Sequence, residues 1–283
     1  MFYPSGALGS KPFSSSADLT PRGSTSTIPD LSEIPQLYWD ISCLANNPTV
    51  RSKRFGIPAA AKGVGYPIRL LRYWFGYHLL RVEAERQGRP LDIAETGVHT
   101  GQMLEFYRSM PNPPDFAKWT AIDAVMLEEK LKKAGYDDFF VANLEDPNFD
   151  LPGDYDAAVL LHILEHLFDP EEALRKVARR IRPGGILIGG FPGIPNFLVK
   201  SREAKVRAHA APMGHVSVFS PERVRSMAKA AGLEAEFVTG AFFVRSKGNP
   251  LENSPKWLKF NLWWGATFPS WPGEIYWLMR KPK

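Results

Sequence analysis

The chain has 283 residues, 44% of them hydrophobic, which is enough to bury the core of one α/β domain with additions. Its single cysteine, Cys43, excludes an intramolecular disulfide and a multi-cysteine metal centre. No apolar run approaches the roughly 20 residues a membrane helix needs, and the N-terminus lacks a basic-then-apolar secretory layout, so a cytoplasmic protein is expected.

Residues 1–33 are rich in Ser, Thr, Pro and Gly without apolar periodicity and read as a disordered tail. Residues 34–88 read as a helical cap. A short helix is predicted over 34–44. A longer one over 67–87 is favoured by Pro67 at its start and by Leu70, Leu71, Trp74, Phe75, Leu79 and Val82 at helical spacing. The formal charge of +5 is unevenly placed, since residues 51–90 hold nine Lys or Arg against two Glu. Such a patch could meet an anionic acceptor, a phospholipid surface or nucleic acid, and a solvated helix face explains it as well.

From 89 to 283 the periodicity alternates. Strands are predicted at 91–94, 119–122, 138–142, 157–161, 186–191, 234–244 and 274–280. Helices fall at 101–108, 125–134, 170–181 and 221–231, the last with Ser220 as N-cap and Pro221 in its first turn. Alternation with right-handed crossovers predicts a doubly wound, mainly parallel sheet between helical layers.

Within this frame, Leu91-Asp-Ile-Ala-Glu-Thr-Gly-Val-His-Thr-Gly101 is an apolar run that ends in an acid and turns through two glycines into a helix. Gly97 and Gly101 suit a tight connection that brings the backbone close to a ligand. The pattern departs from G-x-G-x-x-G, because His99 stands where a middle glycine is expected and Glu95 precedes the turn. Trp119-Thr-Ala-Ile-Asp123 is a second apolar run ending in an acid, where a βαβ unit places a carboxylate for ribose hydroxyls. Then come Tyr155-Asp-Ala-Ala-Val-Leu-Leu-His-Ile-Leu-Glu-His-Leu-Phe-Asp-Pro170 and Arg182-Pro-Gly-Gly185.

In this order the segments resemble the class I S-adenosylmethionine-dependent methyltransferases, over about residues 90–240 and nearest to the small-molecule branch. The resemblance implies a Rossmann-like sheet of seven strands, with Glu274–Arg280 as an antiparallel edge partner, and S-adenosylmethionine as cofactor. It implies that Glu95, Gly97, His99 and Gly101 surround the methionine and ribose, Glu95 accepting from the ammonium. Asp123 would hold the ribose diol, and Asn143 and Leu144 would meet adenine. Two positions depart from the family pattern: His99 replaces the commoner glycine, and Asn143 stands where an acid is usual.

Methyl transfer from a sulfonium is an in-line displacement, so alignment is the main task. A hydroxyl acceptor must also lose a proton, which suits histidine near neutral pH. His162, at the end of the fourth strand, is expected to touch the cofactor. His166, one turn on, and His215, in the loop before Ser220, are the candidate bases, His166 with a scaffold role as its alternative. His162-Ile-Leu-Glu-His166 also satisfies H-x-x-E-H, the signature of inverted zinc peptidases, but that motif needs both histidines on one helix. Here His162 closes a predicted strand, so no metal is expected.

Residues 245–273 read as a Trp-rich insertion, and five of the eight tryptophans lie between Lys256 and Trp277. It could line an acceptor pocket, dock on a membrane surface peripherally, or cover the sheet edge. Nucleic acid is not expected as a partner, because the basic stretch lacks a recognition module and no Asn-Pro-Pro-Tyr-type motif follows the fourth strand. The expected activity is methylation of a small-molecule, sugar or lipid-linked glycan acceptor, at a hydroxyl. The alternatives are a non-catalytic cofactor-binding scaffold and, more remotely, a zinc hydrolase.

Overall fold

The computed structural model describes residues 33–46, 63–245 and 248–283. The expected N-terminal tail, except Ser32's neighbour Glu33, and the basic residues of 51–62 lie outside the described residues. Seven strands form one sheet: β1 (Leu91–Thr96), β2 (Phe116–Asp123), β3 (Asp138–Val141), β4 (Tyr155–Leu161), β5 (Ile181–Gly193), β6 (Glu234–Gly240) and β7 (Gly273–Arg280). Their order is β3-β2-β1-β4-β5-β7-β6. The first five run parallel, and β7 is antiparallel to both its neighbours.

The antiparallel strand is therefore present as expected, but it lies inside the sheet and β6 forms the edge. Glycines in β5 make this pairing fit. A Cβ at Gly189 would run into the Trp277 ring, and one at Gly190 into the Tyr276 ring. Large rings on β7 thus lie against bare backbone on β5, and both are fully buried.

Helices cover both faces. On one lie α2 (Leu71–Gln87), α3 (Gln102–Ser109) and α4 (Glu128–Ala134); ahead of them, in place of the one helix expected over 34–44, the described residues hold a 3-10 turn at Pro35–Leu37 and a short helix α1 (Ser42–Asn46). Trp74, Phe75, Leu104, Phe106 and Leu131 pack there with Trp119 and Ile93 of the sheet. On the other lie α5 (Pro170–Arg179), α6 (Asn196–Ala208) and α7 (Pro221–Ala230). Leu174, Val177, Val224 and Met227 pack against Leu160, Phe191 and Trp277. Each fully buried side chain of this size contributes roughly 1.5–3 kcal/mol relative to exposure.

Local sequence fixes the helix starts. Asp169 accepts from Glu172 N at 2.9 Å, ahead of Pro170, and Ser220 accepts from Arg223 N at 3.1 Å, ahead of Pro221. The predicted helix 170–181 stops at Arg179, because Ile181 already pairs with Tyr155 as the first residue of β5. Helix α6 has no counterpart in the sequence reading; it buries only Val199 and so carries no apolar stripe.

The Trp-rich insertion contains α8 (Pro255–Thr267), capped by Ser254, whose Oγ accepts from Trp257 N at 3.3 Å. Leu258 and Leu262 bury on the α2 face beside Phe237 of β6, so the helix covers the sheet edge. The crossing is close: Gly265 faces Gly240 and Ala241 so tightly that a Cβ would meet their backbone. Among the described residues no helix is long and apolar enough to cross a membrane.

Candidate active site

The marked residues gather at the carboxyl ends of the parallel strands, where open α/β sheets bind ligands. Adjacent strands deliver them side by side: Asn143 follows β3, Asp123 ends β2, Glu95 lies near the end of β1 and His162 follows β4.

Glu95 is buried. Its Oε2 accepts from Tyr136 OH at 2.7 Å and from Trp119 Nε1 at 3.0 Å. Burial pushes its carboxyl up to about 7, against the pull of those two donors. After it, Gly97, His99 and Gly101 all take positive φ, at 71°, 49° and 80°. Gly101 packs beneath Ala134 and Tyr136, where a Cβ would lie 2.9 Å from the Ala134 methyl. His99 holds a left-handed conformation that favours glycine, which explains why its residue type is unusual there. Its side chain is exposed, and its N–H donates to Asp123 Oδ2 at 2.9 Å.

Asp123 Oδ1 accepts from Val125 N at 3.2 Å, so each carboxylate oxygen holds one backbone donor. Asn143 closes a local turn, its Oδ1 accepting from Glu145 N at 3.0 Å, while Leu144 is buried in the core beside it. The contacts of these three loops pre-shape the crevice floor without using up its polar groups.

His162 also has positive φ, 55°, and its ring turns toward the β7 side. Nδ1 lies 3.0 Å from Glu165 Oε1, and Nε2 lies 3.7 Å from Glu274 Oε2. Burial favours the neutral ring, but these two carboxylates outweigh it and raise its pKa. Glu274 is buried at the start of β7. Arg245 Nη2 at 3.0 Å and Arg72 Nη2 at 3.6 Å face its Oε1, and Tyr276 OH donates to its Oε2. Burial alone would raise its carboxyl, yet His162, Arg72 and Arg245 hold it down at about 2.

His166 and His215 meet edge to face, ring centroids 4.8 Å apart at 80°. Leu164–His166 form a 3-10 turn separate from the strand that ends before His162, so the H-x-x-E-H histidines do not share an α-helix. The His215 loop is stitched onto this turn, with Val216 N and Ser217 N both donating to Glu165 O, at 2.8 and 3.1 Å. Burial lowers the His215 pKa, with His166 and His162 acting in the same sense and Glu165 opposing.

A family model described as a methyltransferase domain matches residues 70–236, well over half of the chain. The chain belongs to the S-adenosylmethionine-dependent methyltransferases. Its core is 28% identical over 119 residues to a ubiquinone biosynthesis O-methyltransferase of Thiobacillus denitrificans, covering 40% of this chain and 49% of that one. It is 32% identical over 123 residues to an uncharacterized protein of Synechococcus, covering 41% of this chain and 28% of that one. This methyltransferase thus spans half or less of the length of those curated relatives. The fold is shared with a candidate sarcosine dimethylglycine methyltransferase from Galdieria sulphuraria, at 17% identity and TM-score 0.50, over 74% of this chain and 84% of the other.

The sequence reading of this methyltransferase missed Glu274, Arg72, Arg245 and Tyr276, which close the β7 side of the crevice. The available signal was Glu274 itself, a carboxylate opening a strand that is otherwise apolar.

Proposed function

We propose that this methyltransferase transfers the methyl group of S-adenosylmethionine to a hydroxyl of a small organic acceptor. The observation that carries the reading is the cluster of Glu165, His166 and His215 beside the crevice, whose donor atoms lie within 4.8 Å of one another.

The chain's donor set fits the cofactor. Asp123 keeps lone pairs on both oxygens for ribose hydroxyls, since each already holds only one N–H. Asn143, with its carbonyl oxygen spent on Glu145 N, offers its NH2 group to adenine, and buried Leu144 supports that wall. Glu95 lies where an ammonium would convert it to the carboxylate. Gly97, His99 and Gly101 carry the main chain past the ribose, and the backbone of His162 borders the same floor. The cofactor supplies an electrophilic methyl group on a sulfonium.

What remains for the protein is to align the acceptor oxygen and promote the loss of its proton. Glu165 and His166 follow β4, and His215 meets them from the loop before α7, so the three form one polar cluster for that task. The Thiobacillus relative is named as an O-methyltransferase, which points to the same atom type.

The test is a labelled-methyl assay against matched panels of phenols, sugars and amines, alongside calorimetry with the cofactor. Hydroxyl compounds accept label and amines do not; label on amines alone overturns the reading. His166→Ala and His215→Ala are expected to lower kcat by about 100-fold while cofactor affinity stays within threefold.

A further inference from the structure

We propose that Glu165, His166 and His215 form a binding site for one divalent transition-metal ion of the zinc type, open toward the acceptor. The idea rests on the hydroxyl-acceptor reading above and gives that site its chemistry.

The three side chains bring one donor atom each to within 4.8 Å of one another. A carboxylate with two imidazoles is a donor set that suits zinc and its first-row neighbours, and three protein ligands leave positions for water or substrate. Ligation at about 2.1 Å puts tetrahedral donors about 3.4 Å apart, so the set must close by up to about 1.4 Å, and His215 is the exposed member of the three.

The surrounding bonds fix which atoms are offered. Gly214 O can only accept, so His166 Nδ1, 3.1 Å away, carries the proton and leaves Nε2 with its lone pair. Ser217 Oγ donates to Leu167 O at 2.7 Å and Arg207 Nε to Val216 O at 3.0 Å, which pins the His215 loop from outside.

Glu165 supplies the independent observation. The residue is 1% exposed, and its Oε2 is buried with no hydrogen-bond partner. A carboxyl oxygen left without a partner in the interior is costly, and a cation is a group that removes the cost. Its other oxygen, Oε1, is held by His162 Nδ1, and His162 is in turn faced by Glu274. This is the outer support that ligating side chains characteristically have. His162 is then a positioning residue.

A hydroxyl bound to such an ion ionises more easily, its proton passing to solvent water. The oxygen's electron pair then forms the new O–CH3 bond as the S–CH3 bond breaks, and the sulfonium becomes a neutral thioether.

The experiment is titration of chelator-treated full-length protein with Zn2+ by calorimetry and with Co2+ by visible absorption, with circular dichroism on each variant. One ion per chain is expected, with affinity reduced at least about 100-fold in His215→Ala and Glu165→Gln, and about tenfold in His162→Leu. His215 lies on an exposed loop, so His215→Ala keeps the test valid if Glu165→Gln unfolds. No stoichiometric ion, or an ion that folded His215→Ala binds as tightly as the parent, overturns the site. Failure of the underlying reading looks different: stoichiometric metal, yet no label on any hydroxyl compound.

Discussion

The backbone N–H of His99 donates to Asp123 Oδ2 at 2.9 Å, joining the glycine loop after β1 to the end of β2. His99 reaches that position only by adopting φ 49°. His99→Gly is expected to be more stable than His99→Ala by about 1 kcal/mol in urea denaturation, because both lack the ring and differ in tolerance of the left-handed region. Equal stabilities would contradict the strain.

Asp123→Ala removes both the proposed ribose acceptor and this tie between loops. Calorimetry should show cofactor affinity at least about tenfold weaker, with the sheet intact by circular dichroism. Unchanged affinity would remove Asp123 from the cofactor site.

With the proposed ammonium contact, Glu95 would link stability and cofactor binding through pH. Its folded pKa, about 7, lies above the ordinary 4.5, so its favourable contribution is complete below pH 4.5 and is lost as pH rises through 7. Glu95→Gln should therefore be more stable than the parent at pH 8, by about 2 kcal/mol. In the parent, cofactor binding near pH 7 should release a proton, measurable as a buffer-dependent heat; the variant should release none.

Glu274 behaves in the opposite sense. Its carboxyl is depressed to about 2, so its contribution is present above pH 4.5 and disappears as pH falls through 2. Glu274→Gln leaves Arg72 and His162 without their buried partner and should cost about 3 kcal/mol at pH 7. The gap between parent and variant should narrow in acid unfolding between pH 4.5 and 2.

Gly265→Ala tests the seating of α8, since the added methyl meets backbone of Gly240 and Ala241 that cannot rotate away. A loss of about 3 kcal/mol is expected. Gly153→Ala, whose Cβ would find its nearest neighbour at 3.8 Å, should stay within about 0.5 kcal/mol of the parent.

The strand ends and the residues on them were readable wherever structure follows local pattern. Glu95 and Asp123 each close an apolar run, and a strand end must point at whatever the sheet binds. Ser220 and Pro221 mark the start of α7 for reasons confined to four residues. Partners set by tertiary packing were not readable. Nothing near His162 announces Glu274, which arrives on β7 from far along the chain. The interior place of β7 was likewise hidden, although the Gly189-Gly190 pair in β5 was a sign that something bulky lies alongside. Helix α6 escaped because its one buried residue gives no periodic signal.

The insertion of β7 between β5 and β6 also dictates an order of assembly. During synthesis β6 emerges before β7, the strand it pairs with among the described residues, and its backbone groups wait in water until β7 is in place. Pairing across so long a stretch of chain is slow. The parallel half of the sheet, with Glu95, Asp123 and Asn143, can form first, whereas Glu274 reaches His162 only in the final step. The β1–β4 side of the crevice is thus expected to mature before the side closed by β7.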